Sequence, residues 1–252
     1  MVLETVTATM RHAKVSQMSV TENESAVKAR ISGVVTVDDC LDVIVAWAES
    51  RFGKNFFVGP LEEFQSRYGK VNHEDDFYQT RMNYFLEWCV LERPMGAAAG
   101  MSTPAAAFFR EYHELIAKCG VKASDIWQSF AAFRHGMFQI IDSAHEVIEV
   151  LDLCFGGTFK IVPKSGETMR YLARNMIFQG YVFGLYDQRN LGQGMIIHPE
   201  LAAQQINKFF KQHLRLPRLA SADICRIMAA TNMRYLRMQH VNPAVIYQTI
   251  SG

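Results

Sequence analysis

The spacing of apolar residues along this chain changes twice. From about residue 36 to residue 135 they recur every three or four positions. From Gly136 to Pro199 they alternate with polar residues, and from residue 200 onward they return to helical spacing. A period near 3.6 buries one stripe of a helix and a period of two buries one face of a strand, so the pattern predicts an α+β fold. Its parts are a helical N-terminal half, a five-stranded antiparallel sheet or small barrel, and a helical C-terminal segment. Four regions follow: a loose arm over 1–35, polar and at most one strand, a helical domain over 36–135, a small β domain over 136–199, and C-terminal helices over 200–252 that pack on both.

Local punctuation sharpens these elements. Thr36 with Asp39 three residues on predicts a capped helix carrying Leu41, Ile44, Val45 and Ala48 as far as Gly53. A short helix over LEEFQSRYGK precedes a longer one from Glu74 to Glu92. Phe77, Tyr84, Phe85, Trp88 and Leu91 give that helix an aromatic core stripe, and Pro94 ends it. Thr103-Pro104 predicts the next start and Gly120 its stop. Ser124 is expected to cap SDIWQSFAAFRHG, with Gly136 ending it. MFQIID, EVIEVLDLC, TFKIV, YVFGLYD and GMIIH are the five strand candidates, and Gly156-Gly157, Lys164-Ser165-Gly166 and Asn190-Leu191-Gly192 suit the turns between them. His198-Pro199 opens a helix with Leu201, Ile206, Phe209 and Phe210 facing inward. Ser221 caps the following helix, and Pro243 begins a last turn.

The succession FYQTRMNYFLEWCVLERP, DLCFGGTFKIV, FQGYVFGLYDQ and GMIIHPELAAQQINKFFK, from about Leu61 to Lys211, resembles bacterial proteins of unknown function that often carry a C-terminal SEC-C zinc motif. The resemblance implies an aromatic helix leading into a small sheet and a His-Pro helix start. The chain departs from the pattern at its end: no cysteine follows Cys225, so a zinc-binding tail does not carry over.

Composition narrows the setting. With 49% hydrophobic and 20% charged residues, the 252-residue chain has the make-up of an ordinary folded protein rather than a disordered one. A net charge of +1 gives no strong nucleic-acid signal. Lys208, Lys211, Arg215, Arg218, Arg226, Arg234 and Arg237, against Asp223 alone, read as solvated helix faces. Five dispersed cysteines without a CxxC pair, no apolar leader and no run long enough to span a membrane place the protein in the cytoplasm.

Candidate chemistry is sparse. Neither GxSxG, SxxK, GxxxxGK[ST] nor GxGxxG occurs, and the histidines lack the close pairing that zinc sites use. His135 and His145 read as packing or surface residues, and Gly192-Gln193-Gly194 as turn chemistry. No catalytic residue, metal or cofactor is expected. One local pattern goes further. Arg170-Tyr-Leu-Ala-Arg174 followed by Asp187-Gln-Arg189-Asn-Leu-Gly192 is similar to the RxxxR and [DN]xSxxG pair of PilZ domains, which implies that Arg170, Arg174, Asp187 and Arg189 grip a cyclic dinucleotide through arginine forks. The gap between the halves is shorter than in that family, and Arg189 stands where it has serine.

The functional expectation is a non-catalytic interaction or regulatory module with a protein partner. The alternatives are a cyclic-dinucleotide reader and an enzyme with a dispersed site. A deep pocket lined by polar side chains would favour the last.

Overall fold

The computed structural model describes residues 20–96, 101–144, 147–162, 172–184, 188–213 and 220–250. Six helices come first: α1 (Val20–Ser32), α2 (Val37–Phe52), α3 (Val58–Tyr68), α4 (Tyr78–Leu91), α5 (Pro104–Lys118) and α6 (Val121–Ala131). Helix α1 lies where a loose arm was expected. Its apolar stripe is thin, but Val27 and Ile31 are buried, and Trp127 Nε1 donates to the Ile31 carbonyl at 3.0 Å. Tertiary contact thus supplies what the local pattern lacks.

The expected start of α2 is built as a capping box. Thr36 Oγ1 accepts from Asp39 N at 3.2 Å, and the Asp39 carboxylate accepts from Thr36 N at 2.8 Å. Thr103 caps α5 ahead of Pro104 with its hydroxyl alone, which accepts from Ala106 N at 3.2 Å. Helix α6 differs from expectation at both ends. It starts at Val121 after Gly120, whose φ of +93° suits glycine, so Ser124 lies inside the helix rather than at its cap. It ends at Ala131, and Gly136 sits inside the first strand instead of stopping a helix.

That strand, β1 (Phe133–Ala144), is followed by β2 (Val147–Asp152), β3 (Thr158–Val162), β4 (Ile177–Phe183), β5 (Gln188–Leu191) and β6 (Ile196–Ile197). The boundary expected after His135 therefore falls within a strand. The pairing order β1-β2-β3-β5-β4 closes through β4 back onto β1, and β6 adds to β4. Not all of this barrel is antiparallel: β3 and β5 run parallel, with Lys160 opposite Gln188 and Val162 opposite Asn190. A closed ring with an odd number of strands cannot alternate direction throughout, so one neighbouring pair has to be parallel. Asn190-Leu191, expected in a turn, belongs to the strand that completes the ring.

All seven residues of β4 are buried because both of its faces are covered. Phe178 and Val182 point into the barrel with Phe138, Ile140, Val150, Phe159 and Ile161. The alternate positions meet helices: Tyr181 and Phe183 join the N-terminal helical core, and Ile177 joins the core of the C-terminal helices. Those helices are a 3-10 turn (Glu200–Ala202), α7 (Ala203–His213), α8 (Ser221–Arg237) and α9 (Pro243–Gln248). Ile206, Phe209 and Phe210 are buried as expected, whereas Leu201 is exposed on the 3-10 turn. Helix α8 lies against both α3 and β1.

Candidate functional site

Helix α4 supplies the aromatic face expected of it, with Tyr84, Phe85, Trp88 and Leu91 buried. Truncating any of the three aromatics costs about 3–5 kcal/mol in a close-packed core. The same helix buries charged and polar groups that hydrophobic periodicity does not mark. Arg81, Tyr84 and Glu87, spaced three apart, share one side of the helix. Glu92 follows at the C-cap position.

These groups are matched by the helix-facing side of the barrel. His135 Nδ1 lies 2.8 Å from Glu92 Oε1, and His135 Nε2 lies 2.6 Å from the Tyr84 hydroxyl. A carboxylate only accepts, so Nδ1 carries a hydrogen, and in the neutral ring Nε2 accepts from the Tyr84 O–H. The Gln179 amide donates onto the Tyr84 oxygen and also to the Cys225 carbonyl in α8, the latter at 2.8 Å. The result is a continuous chain of hydrogen bonds that joins α8, β4, α4, β1 and Glu92, with Gln179 donating both toward α8 and toward Tyr84. Tyr181 stacks on the His135 ring at 4.3 Å and holds its plane. Burial raises the Tyr84 phenol well above the usual tyrosine range, which keeps it the neutral donor that this chain requires.

Glu92 is the end of the chain that meets solvent. It borders an open cleft of about 360 Å³ together with Phe133, Arg134, His135, Phe155 and Ser221. Arg134 projects from β1 toward the barrel mouth. Its Nη1 pairs with Asp152 Oδ2 at 2.9 Å, and Asp152 Oδ1 in turn accepts from the backbone N–H groups of Cys154 and Phe155. The guanidinium lies 5.4 Å from the Phe155 ring centre, and that ring is 63% exposed. Ser221 opens α8 without capping it: Ala220 occupies the cap position and offers no side-chain acceptor. The serine expected to close that helix end is instead a wall of the cleft.

Two further polar clusters flank the chain. Glu87 clasps the loop between β5 and β6, accepting from Gln193 N at 2.7 Å and Gly194 N at 3.2 Å. A methyl group on Gly194 would run into Tyr84 Cα and the Glu87 carboxylate, so the Gly-Gln-Gly segment is a point of close approach to α4 as well as a turn. On the other side, Arg81 Nη2 donates to Asn232 Oδ1 at 2.6 Å, and His198 Nδ1 lies 2.7 Å from the Tyr247 hydroxyl. Burial, helped by the nearby Arg81 charge, pushes His198 from the ordinary 6.5 to about 3. Burial also lowers Arg81 to about 10, which leaves it a cation at neutral pH.

Of the residues read from the PilZ-like pattern, Arg170 and Asp187 lie outside the described residues, as does His145. Arg174 is exposed in the turn ahead of β4. Arg189 sits on β5 with its guanidinium 4.6 Å from the Phe159 ring centre. The arginine it is brought near is Arg134, 6.0 Å from the same ring, which sequence reasoning passed over. Glu92 was likewise passed over, and Tyr84 was read only as part of the aromatic core stripe. One signal for Glu92 existed: an acid at a helix C-terminus opposes the helix dipole, so its position needs another cause.

Among the described residues, no three Cys, His, Asp or Glu side chains are grouped to hold a metal ion, and no helix is long and apolar enough to cross a membrane. Burial raises the thiols of Cys40, Cys89 and Cys225, which suppresses the reactive thiolate. No protein-family model matches the chain, and no curated protein or solved structure matches it either. The resemblance to SEC-C-bearing proteins therefore rests on the quoted residues alone.

Proposed function

We propose that this protein is a non-catalytic regulatory module that binds a small polar ligand in the Glu92–Arg134 cleft and passes its occupancy to a protein partner through α8. The observation that carries this reading is the hydrogen-bonded chain from Glu92 at the cleft to the Cys225 carbonyl in α8. A general base needs a nitrogen free for substrate, and both nitrogens of His135 are engaged within the protein. Tyr84 is wholly buried, so the chain serves to orient Glu92. Five free cysteines support a reducing, cytoplasmic setting, and the sequence resemblance supports a bacterial one.

The test is a thermal-shift screen of small charged and zwitterionic metabolites against the full chain and Glu92→Gln. The expected result is a compound that raises Tm in the wild type and not in the variant, and that slows amide exchange in α8. A compound turned over by the protein would overturn the non-catalytic reading, and hits indifferent to Glu92 would overturn the site.

A second reading draws on Arg189, whose guanidinium lies over Phe159 beside Arg134. Planar cations over an aromatic ring at a barrel mouth suit a cyclic dinucleotide held through phosphate and guanine edges. Calorimetry with cyclic di-guanylate that shows no heat, or heat unchanged by Arg189→Ala together with Arg174→Ala, ends that reading.

A further inference from the structure

We propose that the ligand of this cleft is a free α-amino acid with an apolar or aromatic side chain, an assignment that rests on the reading of the site given above. Two residues of opposite charge line the cleft from different elements: Glu92 at the end of α4 and Arg134 of β1. Glu92 keeps one oxygen for a ligand. Oε1 accepts from His135, while Oε2 has no hydrogen-bond partner among the described residues, and the side chain is 21% exposed. The Nδ1 hydrogen of His135 orients the carboxylate and leaves its second oxygen toward the cleft.

Arg134 likewise keeps hydrogen-bonding capacity. Asp152 takes Nη1 alone, the guanidinium carries further N–H groups, and the side chain is 34% exposed. Asp152 is itself wholly buried and held by two backbone N–H groups, so it fixes the arginine in place. The hydroxyl of Ser221 adds a neutral donor at the uncapped start of α8.

Charge logic then excludes the simpler ligands. A bare anion that reaches Arg134 meets the Glu92 carboxylate in the same cleft, and a bare cation that reaches Glu92 meets Arg134. A molecule that carries an ammonium and a carboxylate together satisfies both. Phe133 and Phe155 supply the apolar wall for its side chain, and the exposed ring of Phe155 is then a contact surface. The volume of about 360 Å³ lies near the lower end of the roughly 300–1,000 Å³ range of small-molecule sites, which favours one amino acid over a dinucleotide.

The experiment is isothermal titration calorimetry of the full chain with L-phenylalanine and L-leucine, set beside N-acetyl-L-phenylalanine and L-phenylalaninamide. The free amino acids are expected to bind saturably. Each blocked form is expected to bind about tenfold more weakly or worse, because each loses one charge-assisted contact. In Glu92→Gln the penalty for N-acetylation is expected to shrink while that for the amide persists. Arg134→Gln is expected to show the converse. Equal binding of free and blocked forms overturns the zwitterion assignment, and because that comparison is made on the wild type it does not depend on the variants folding. If no amino acid binds while another screened compound raises Tm in a Glu92-dependent way, the ligand class is wrong and the site stands. If nothing binds with dependence on Glu92, both fail.

Discussion

At Tyr84 a fully buried hydroxyl is kept because it is doubly engaged, donating to His135 and accepting from Gln179. Tyr84→Phe fills nearly the same space but leaves a buried imidazole nitrogen and a buried amide hydrogen with one partner fewer. An unmet buried group costs about 1–3 kcal/mol, so the variant is expected to lose about 2 kcal/mol or more in urea unfolding. His198 gives a pH signature. It is held neutral in the fold with its pKa at about 3, whereas the unfolded chain takes up the proton near 6.5. Stability from this group is therefore complete above pH 6.5 and is lost as pH falls toward 3. Denaturation midpoints between pH 6 and 4 should show the wild type losing up to about 1.4 kcal/mol per pH unit more than His198→Gln. Equal slopes would mean that His198 is not buried neutral. None of these polar roles was legible from spacing, because Arg81, Tyr84 and Glu87 occupy the same helical stripe as the apolar residues and hydropathy does not say which polar group will find a partner.

Element starts that rest on side-chain chemistry within a few residues were legible. Thr36 and Asp39 form the expected box, and Thr36→Ala should cost about 1 kcal/mol in equilibrium unfolding, with Thr36→Ser nearly neutral. Helix α1, whose last turn is held by Trp127, was not legible, and α6 starts from the glycine before it rather than from Ser124. Ser124 and Ser221 carry the right residue type for a cap, but neighbouring residues already hold the chain in the extended or left-handed shape that a cap position needs. The glycines of the β5–β6 loop were read for their turns, and their second role, passing over α4, requires knowing that Glu87 lies beneath. Gly194→Ala forces its methyl into the backbone of Tyr84. Overpacking against backbone costs about 1–3 kcal/mol, and thermal unfolding should show a lowered Tm without loss of helical circular dichroism in the folded state.

On the scale of the whole molecule, the α+β class and the order of helices, sheet and helices were legible, because the change of period from 3.6 to 2 and back is a property of the chain itself, whereas the choice between an open sheet and a barrel is made by the β1–β4 pairing. The strand direction was not, since alternation fixes which face is buried and not which strand lies beside which. Nor was the joint between layers: Tyr181, Phe183 and Ile196 of the barrel share a core with the helices, so the seam that holds the cleft is packed continuously with both parts. The parallel pairing of β3 with β5 has a kinetic consequence. Strands β1, β2 and β3 join neighbours in sequence and can pair early, and β4 returns to β1. That leaves a slot between β3 and β4 which the short β5, next after β4 in the chain, fills by turning back onto β4 and lying parallel to β3. A short strand tied by only a few ladder positions on either side opens locally more readily than the long β1–β4 pairing. Native-state hydrogen exchange should find the amides of β5 opening at lower free energy than those of β1 and β4, so the barrel would breathe along this one slot, beside the mouth where Arg134 and Arg189 flank Phe159.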